Sequence, residues 1–215
     1  MTTLGIIGSG RIGSNVARAA TAAGYDVVLS NSRGPATLGE LVAELGDHAS
    51  AATPEEAARR GDLVLVAVPL GKIDQLPAEA LTGKVVMDAN NYYPQRDGRI
   101  AALDGNESTT SDLLQALAPG ARIVKAFNNI YAHEIPADAS PTGTEGRRAL
   151  PIAGNDEAAK SLVASFLDAI GFDAVDLGPL AESWRVERDT PAYGKRTTAS
   201  ELAAILPTVE RVQQV

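Results

Sequence analysis

Short runs of apolar residues alternate along this chain with stretches whose apolar positions recur every three or four residues. Leu4, Ile6 and Ile7 form the first run; Val16, Ala19, Ala20 and Ala23 then follow at helical spacing until Gly24. Short apolar runs bounded by turn residues read as buried strands, and the three-to-four recurrence reads as a helix with one face on a core. On these rules residues 26–29, 63–68, 84–87, 122–126, 148–153 and 174–177 are strands. The run LVLVAV at 63–68 is the clearest central strand, and Pro69 halts it. Helices are predicted over residues 54–60, 73–81, 113–117 and 158–170, with shorter helical segments over 182–184 and 198–206. Thr53-Pro54-Glu55-Glu56 has the form of a helix start, with Thr53 as cap, Pro54 at the first helical position and Glu56 closing a capping box. Asp156 caps the helix that carries the apolar stripe Leu162, Phe166, Leu167 and Ile170.

Strands alternating with helices imply an α/β fold: a doubly wound, mostly parallel sheet with helices on both faces and a small C-terminal extension. Residues 1–127 are expected to form a nucleotide-binding portion, and residues 128–215 to complete the sheet within one compact unit. Ligands of such sheets sit beyond the carboxyl ends of the strands. The loops at 8–13, 30–33, 69–71, 89–93 and 127–133 are therefore expected on one edge. Two of them are dense in polar and aromatic residues: Asn90, Asn91, Tyr92 and Tyr93 in one, Asn128, Asn129, Tyr131 and His133 in the other. Pro179, Pro191, Gly194 and the charges between them suggest a loop able to close over a site.

Between the first strand and its helix lie Gly8, Gly10 and Gly13, in G-x-G-x-x-G spacing. In that context the first glycine permits a tight turn, the second lets a pyrophosphate approach the backbone, and the third lets helix and strand pack closely. The motif predicts a Rossmann-type dinucleotide site. An NAD site usually places an acid about 20 residues further on, to hold the ribose 2′-hydroxyl. Here that place holds Ser30, Asn31, Ser32 and Arg33, and a guanidinium with hydroxyls suits a 2′-phosphate. NADP(H) is the expected cofactor.

The formal charge of −8 argues against a nucleic-acid surface. No segment approaches the roughly 18 to 20 apolar residues that cross a membrane. A first strand starting by Leu4 leaves no room ahead of it for a cleavable signal segment, and the cytoplasm is the expected location. The chain has no cysteine and two distant histidines, His48 and His133, so no metal site is expected. Leu202, Ile205, Leu206 and Val209 recur at roughly helical spacing, and a homodimer covering that stripe is expected.

GIIGSGRIGSNVA, the NSRGP segment, LVAVP, VKAFN and AGND followed by a helix resemble the coenzyme F420-dependent NADP reductases and their bacterial relatives. The same pattern is similar to the cytoplasmic reductase domain of six-transmembrane ferric reductases. The resemblance covers nearly the whole chain. It implies that Ser9, Gly10, Arg11 and Ile12 lie along the pyrophosphate, and that Ser32 and Arg33, in the turn with Asn31, hold the 2′-phosphate. Val68, Pro69 and Leu70 would border the nicotinamide ribose, with Ala89 and Asn90 at the nicotinamide end. A small-molecule acceptor, deazaflavin (coenzyme F420) or flavin, would stack near Asn128 to Tyr131 and the C-terminal portion, positioned by Asn90, Asn128 and Tyr131. Hydride transfer between stacked rings needs positioning more than a dedicated acid. Reduction of a small carbonyl or imine would instead favour a proton donor, for which Lys125, Tyr131, His133, Tyr92 and Tyr93 are candidates. A non-catalytic NADP(H) sensor on the same scaffold is the third reading.

Overall fold

In the computed structural model, which describes residues 1–212, the first apolar run becomes β1 (Thr3–Ile7), followed by α1 (Arg11–Ala22) and β2 (Asp26–Ser30). Next come α2 (Gly39–Leu45), β3 (Ala49–Ala51), α3 (Pro54–Arg60), β4 (Leu63–Val66) and β5 (Val85–Asp88). Two single-turn helices, α4 (Pro94–Asp97) and α5 (Ala101–Asp104), precede α6 (Thr110–Leu117) and β6 (Arg122–Lys125). The chain continues through α7 (Glu134–Asp138), β7 (Ala149–Gly154), α8 (Glu157–Ala169), β8 (Asp173–Asp176) and α9 (Ala199–Ile205).

The eight strands form one sheet in the order β3-β2-β1-β4-β5-β6-β7-β8. All neighbours are parallel except β6 and β7, which pair antiparallel with Val124 opposite Gly154 and Lys125 opposite Ala153. The β6–β7 connection carries only the five-residue α7. A reversed strand needs no long crossover helix. The central strands are apolar on both faces because both are covered. Ile6, Leu63 and Leu65 point into a core shared with α1 and α8, while Ile7, Val64 and Val66 point into a second core shared with α3 and α6. Period-two side-chain alternation divides each strand between the two layers. Among the described residues no helix is long and apolar enough to cross a membrane.

The structure corrects several expectations. The helix expected over 73–81 is two 3₁₀ turns, Leu70–Gln75 and Ala78–Leu81, with Pro77 between them; proline has no N–H to continue the ladder. Helix α2 and the edge strand β3 fall where no strong period marks the sequence. In α8, Phe166, Leu167 and Ile170 join the core, whereas Leu162 lies on the exposed side. The stripe read as a dimer face faces inward: Leu202 and Leu206 pack with Ala149, Val186 and Ala192 of their own chain, and Val209 is buried. Ile205 of the same stripe is partly buried against that cluster.

One buried cation ties the carboxyl ends of the strands together. The Lys125 ammonium, at the end of β6, has no solvent exposure. It donates to Asn90 O at 2.6 Å, to Thr110 Oγ1 at 2.7 Å and to Asp88 Oδ2 at 3.2 Å. Asp88 also accepts from Ser111 Oγ and the Asn90 N–H. Thr110 in turn donates twice to Glu187 Oε1, from its N–H and its hydroxyl, each at 3.0 Å. Removing one partner of a buried ion pair leaves a desolvated charge, which typically costs about 3–5 kcal/mol. Lys125→Met is expected to lower unfolding stability by about that amount, measured by urea denaturation. A loss below roughly 1 kcal/mol would mean that the Asp88 carboxylate finds another partner.

Candidate active site

The strand order reverses beside β1: the chain steps outward from β1 to β2 and β3, then returns to place β4 on the other side of β1. Loops leaving the carboxyl ends of β1 and β4 diverge at such a switch point and open a crevice. A cleft of about 760 Å³ lies there, lined by four of the five loops expected to share this edge. Arg11, Ile12 and Asn15 contribute from the start of α1, Ala67, Val68 and Pro69 after β4, and Ala89, Asn91, Tyr93 and Arg96 after β5. Phe127, Asn128 and the stretch 130–133 contribute after β6, and Tyr193 reaches in from the C-terminal portion.

The three glycines are not equivalent. Gly8 has φ +106°, and a Cβ there would stand 2.4 Å from Ala67 O; a Cβ on Gly13 would stand 2.0 Å from Gly8 O. The chain's own packing requires glycine at both positions. Gly10 has ordinary extended backbone, and a Cβ there would meet nothing within 4 Å. A side chain is therefore compatible with the fold at Gly10, and the bare backbone there leaves open space in front of α1. That helix has no side-chain cap and no acid in its first turn, so its free N–H groups and positive dipole end face the opening. Such a cradle fits a pyrophosphate.

Ser30 anchors the turn after β2. Its carbonyl accepts from the N–H groups of Gly8 and Ser9 at 3.0 and 3.1 Å and from Ser9 Oγ at 2.9 Å. Its own hydroxyl donates to Ile6 O. The Asn31 amide is engaged within the turn: it donates to Thr37 Oγ1 and accepts from the Arg33 N–H. Asn31 thus shapes the turn through its amide. Ser32 and Arg33 are exposed, and among the described residues no partner engages either side chain. They are the groups left to meet a 2′-phosphate.

At the far end of the cleft the backbone is bent and cross-stitched. Phe127, the first cleft residue after β6, has φ +62°, a conformation uncommon outside glycine. Asn91 donates to Asn128 O at 2.6 Å, Asn128 donates to Val186 O at 2.7 Å, and the Gly194 N–H donates to Asn129 O at 3.0 Å. Three loops distant in sequence are thereby held as one wall. Tyr131 and His133 stack with ring centres 6.1 Å apart, and Tyr131 is half exposed. The Tyr93 and Tyr193 hydroxyls lie 2.8 Å apart.

Several expected residues lie elsewhere. Leu70 is buried with Tyr92 and Leu103 and does not line the cleft, so only Val68 and Pro69 of that trio do. Asn90 is buried outside the lining, and Asn91 takes its place. Lys125 is committed to its three acceptors. Tyr92 donates to Asp104 and accepts from the Ile100 N–H, and burial holds its phenol above the ordinary range. Neither Lys125 nor Tyr92 lines the cleft. Among the described residues no group of three or more acidic or histidine side chains could hold a metal ion. Four lining residues lie outside the expected site, Ala67 among them within the run LVLVAV. Asn15 follows Arg11 by one helical turn, a spacing that placed it on the same face. Arg96 and Tyr193 carried no local signal.

A glycine cradle, an acid-free turn after β2 and a cleft at the switch point define a dinucleotide-dependent oxidoreductase scaffold. The sequence model for NADP oxidoreductases, coenzyme F420-dependent, matches residues 3–92, and the chain is similar over that segment to this family of NADP-dependent oxidoreductases. The crystal structure of the Sinorhizobium meliloti protein SMa0349 is similar at 34% identity and TM-score 0.80, over 92% of this chain and 96% of that one. An Arthrobacter sp. FB24 protein, assigned as an F420-dependent NADP-reductase, is similar at 26% identity and TM-score 0.72, over 86% and 87% of the two chains. The metalloreductase STEAP3 of Rattus norvegicus is 31% identical over 86% of this chain, which spans 35% of that relative's length.

Gly10→Val is expected to fold normally and to lose the rise in melting temperature that NADP⁺ gives the wild type. An undiminished shift in the variant would place the pyrophosphate elsewhere. Arg33→Ala removes one charge-assisted contact of about 1.5–3 kcal/mol, so NADPH affinity should fall roughly ten- to a hundredfold. Titration with both nucleotides checks this, since NADH affinity should barely change; equal losses would assign Arg33 a structural role.

Proposed function

We propose that this chain is an NADP(H)-dependent reductase that passes hydride to a planar ring, a deazaflavin such as coenzyme F420 or a flavin. The observation that carries the reading is the lining of the cleft. Among the described residues it combines aromatic rings, aliphatic side chains, amides and the arginines Arg11 and Arg96, the latter paired with Asp97 behind the lining, and no carboxylate lines it, in a chain of net charge −8. Such a surface suits two flat, anionic molecules lying together. The family and the Arthrobacter relative's assignment to F420 support the same acceptor class.

When bound, NADPH would supply a hydride with its electron pair, and the reduced ring would take its balancing proton from solvent. The chain's residues bind and orient. The start of α1 with Arg11 would hold the pyrophosphate, and Ser32 with Arg33 the 2′-phosphate. Val68, Pro69 and Ala89 would exclude water beside the nicotinamide, while Tyr131 stacked on His133 offers a flat surface to the second ring. Catalysis by positioning requires reacting atoms about 3–3.5 Å apart and no dedicated acid. The second reading, reduction of a small carbonyl or imine, draws on the Tyr93 and Tyr193 hydroxyls in the same cleft.

Steady-state NADPH oxidation against F420, FMN, FAD, a set of ketones and a cyclic imine separates these readings. Turnover with a ring acceptor is the expected result. Turnover with a ketone or imine alone overturns it, and turnover with none would indicate a sensor. Under the ring reading, Tyr131→Phe and His133→Ala should each lower the rate about tenfold or less. A loss of about 10²–10⁴ at either, with NADPH affinity intact, would point to general-acid catalysis.

A further inference from the structure

We propose that the Tyr93 and Tyr193 hydroxyls act together as one hydrogen-bond donor site at the acceptor end of the cleft. The site would take a carbonyl oxygen or ring nitrogen on which negative charge develops as the acceptor is reduced. This rests on the reading above and names what the acceptor must present.

The two tyrosines are 100 residues apart in sequence and both line the cleft, with hydroxyl oxygens 2.8 Å apart. Among the described residues neither oxygen has a further hydrogen-bond partner. Two hydroxyls hold two protons, and their mutual hydrogen bond uses one. The other is left for a ligand, whichever tyrosine carries it. Burial and the neighbouring Tyr93 hydroxyl hold the Tyr193 phenol above its ordinary range, so Tyr193 keeps its proton.

Both rings are fixed in advance. The Arg96 and Arg188 guanidinium groups lie 4.7 and 5.2 Å from the centre of the Tyr93 ring. Tyr193 sits between buried Ala192 and Gly194, whose N–H is held by Asn129 O. Donors fixed before the reaction need no reorganisation when charge develops, which is what makes them effective. Hydride acceptance pushes an electron pair onto a conjugated oxygen or nitrogen, and a neutral hydroxyl stabilises that atom without releasing its proton. The pair therefore acts on charge, and no proton leaves it.

Tyr93→Phe, Tyr193→Phe and the double variant test the proposal, with FMN and F420 as probes. Three quantities are read: kcat/KM for the acceptor, the dissociation constant of FMN in the presence of NADP⁺, and the NADP⁺-induced thermal shift. Each single variant should lose about ten- to a hundredfold in kcat/KM for the acceptor and keep the NADP⁺ shift. The double variant should be within about twofold of the more damaging single one, because the hydroxyls form one site. Rates and FMN affinity within about twofold of wild type in both single variants would overturn the proposal alone. So would a multiplicative loss in the double variant, or an NADP⁺ shift lost together with activity. A wild type that oxidises NADPH with neither probe would overturn the ring reading and the proposal with it.

Discussion

A lysine ammonium sealed from water can persist only where every proton it carries finds an acceptor, and Lys125 meets that condition through three separate segments. Asp88 belongs to the end of β5, Asn90 to the loop that follows it, and Thr110 to the first turn of α6. Thr110 passes the linkage to Glu187, and Asn128 adds a second tie to that region through Val186 O. Displacing any arm would leave desolvated charge or an orphaned acceptor, so the relative placement of these segments is narrow. The same segments then supply Ala89, Asn91, Tyr93, Phe127 and Asn128 to the cleft. The lysine reaches the site only through the backbone and hydroxyl groups it holds.

A second buried cation acts similarly one strand further out. Arg148, at the foot of β7, donates to Glu134 and Asp138 of α7, and Glu134 also accepts from the Tyr131 N–H. The stretch from Phe127 to His133 is thus held at its start by β6 and at its end through α7 by β7. This explains why an antiparallel strand belongs at this point in the sheet. Reversal brings the start of β7, and with it Arg148, toward the helix that follows the cleft loop.

Much of this was legible where the signal was local. The β1–α1–β2 unit, the capping box at Thr53 and the central β4 follow from period, cap chemistry and apolar runs within a few residues. The 3₁₀ turns around Pro77 were misread because apolar spacing was weighed above a missing N–H. The resemblance puts Asn90 at the nicotinamide end, and the rule that separates it from Asn91 is simple. Strand-like alternation persists past the end of β5: Asp88 is buried, Ala89 lines the cleft, Asn90 is buried and Asn91 lines the cleft again. Leu70 belonged in the core on its apolarity alone. Tyr193 was beyond reach, because its importance lies in a contact across 100 residues that no window of sequence contains.

The two ends of the cleft differ in the kind of group that builds them, and that difference governs what likeness to the family can say. The proposed cofactor end is built from the glycine turn and the start of α1 with Arg11, from Ser32 and Arg33, and from Val68, Pro69 and Ala89, and the matched segment 3–92 contains all of it. The opposite end consists of side chains from the loops after β5 and β6 and from the C-terminal portion, and apart from Ala89 and Asn91 all of them lie beyond that segment. A family defined by the first end fixes the nucleotide and leaves the second substrate to the geometry of the other. Here that geometry offers flat aromatic surface, fixed hydroxyls and two arginines, of which Arg96 is paired with Asp97. On the function proposed above, those features suit a planar, charge-delocalising acceptor, because each of them acts on a property such a molecule has before or during reduction.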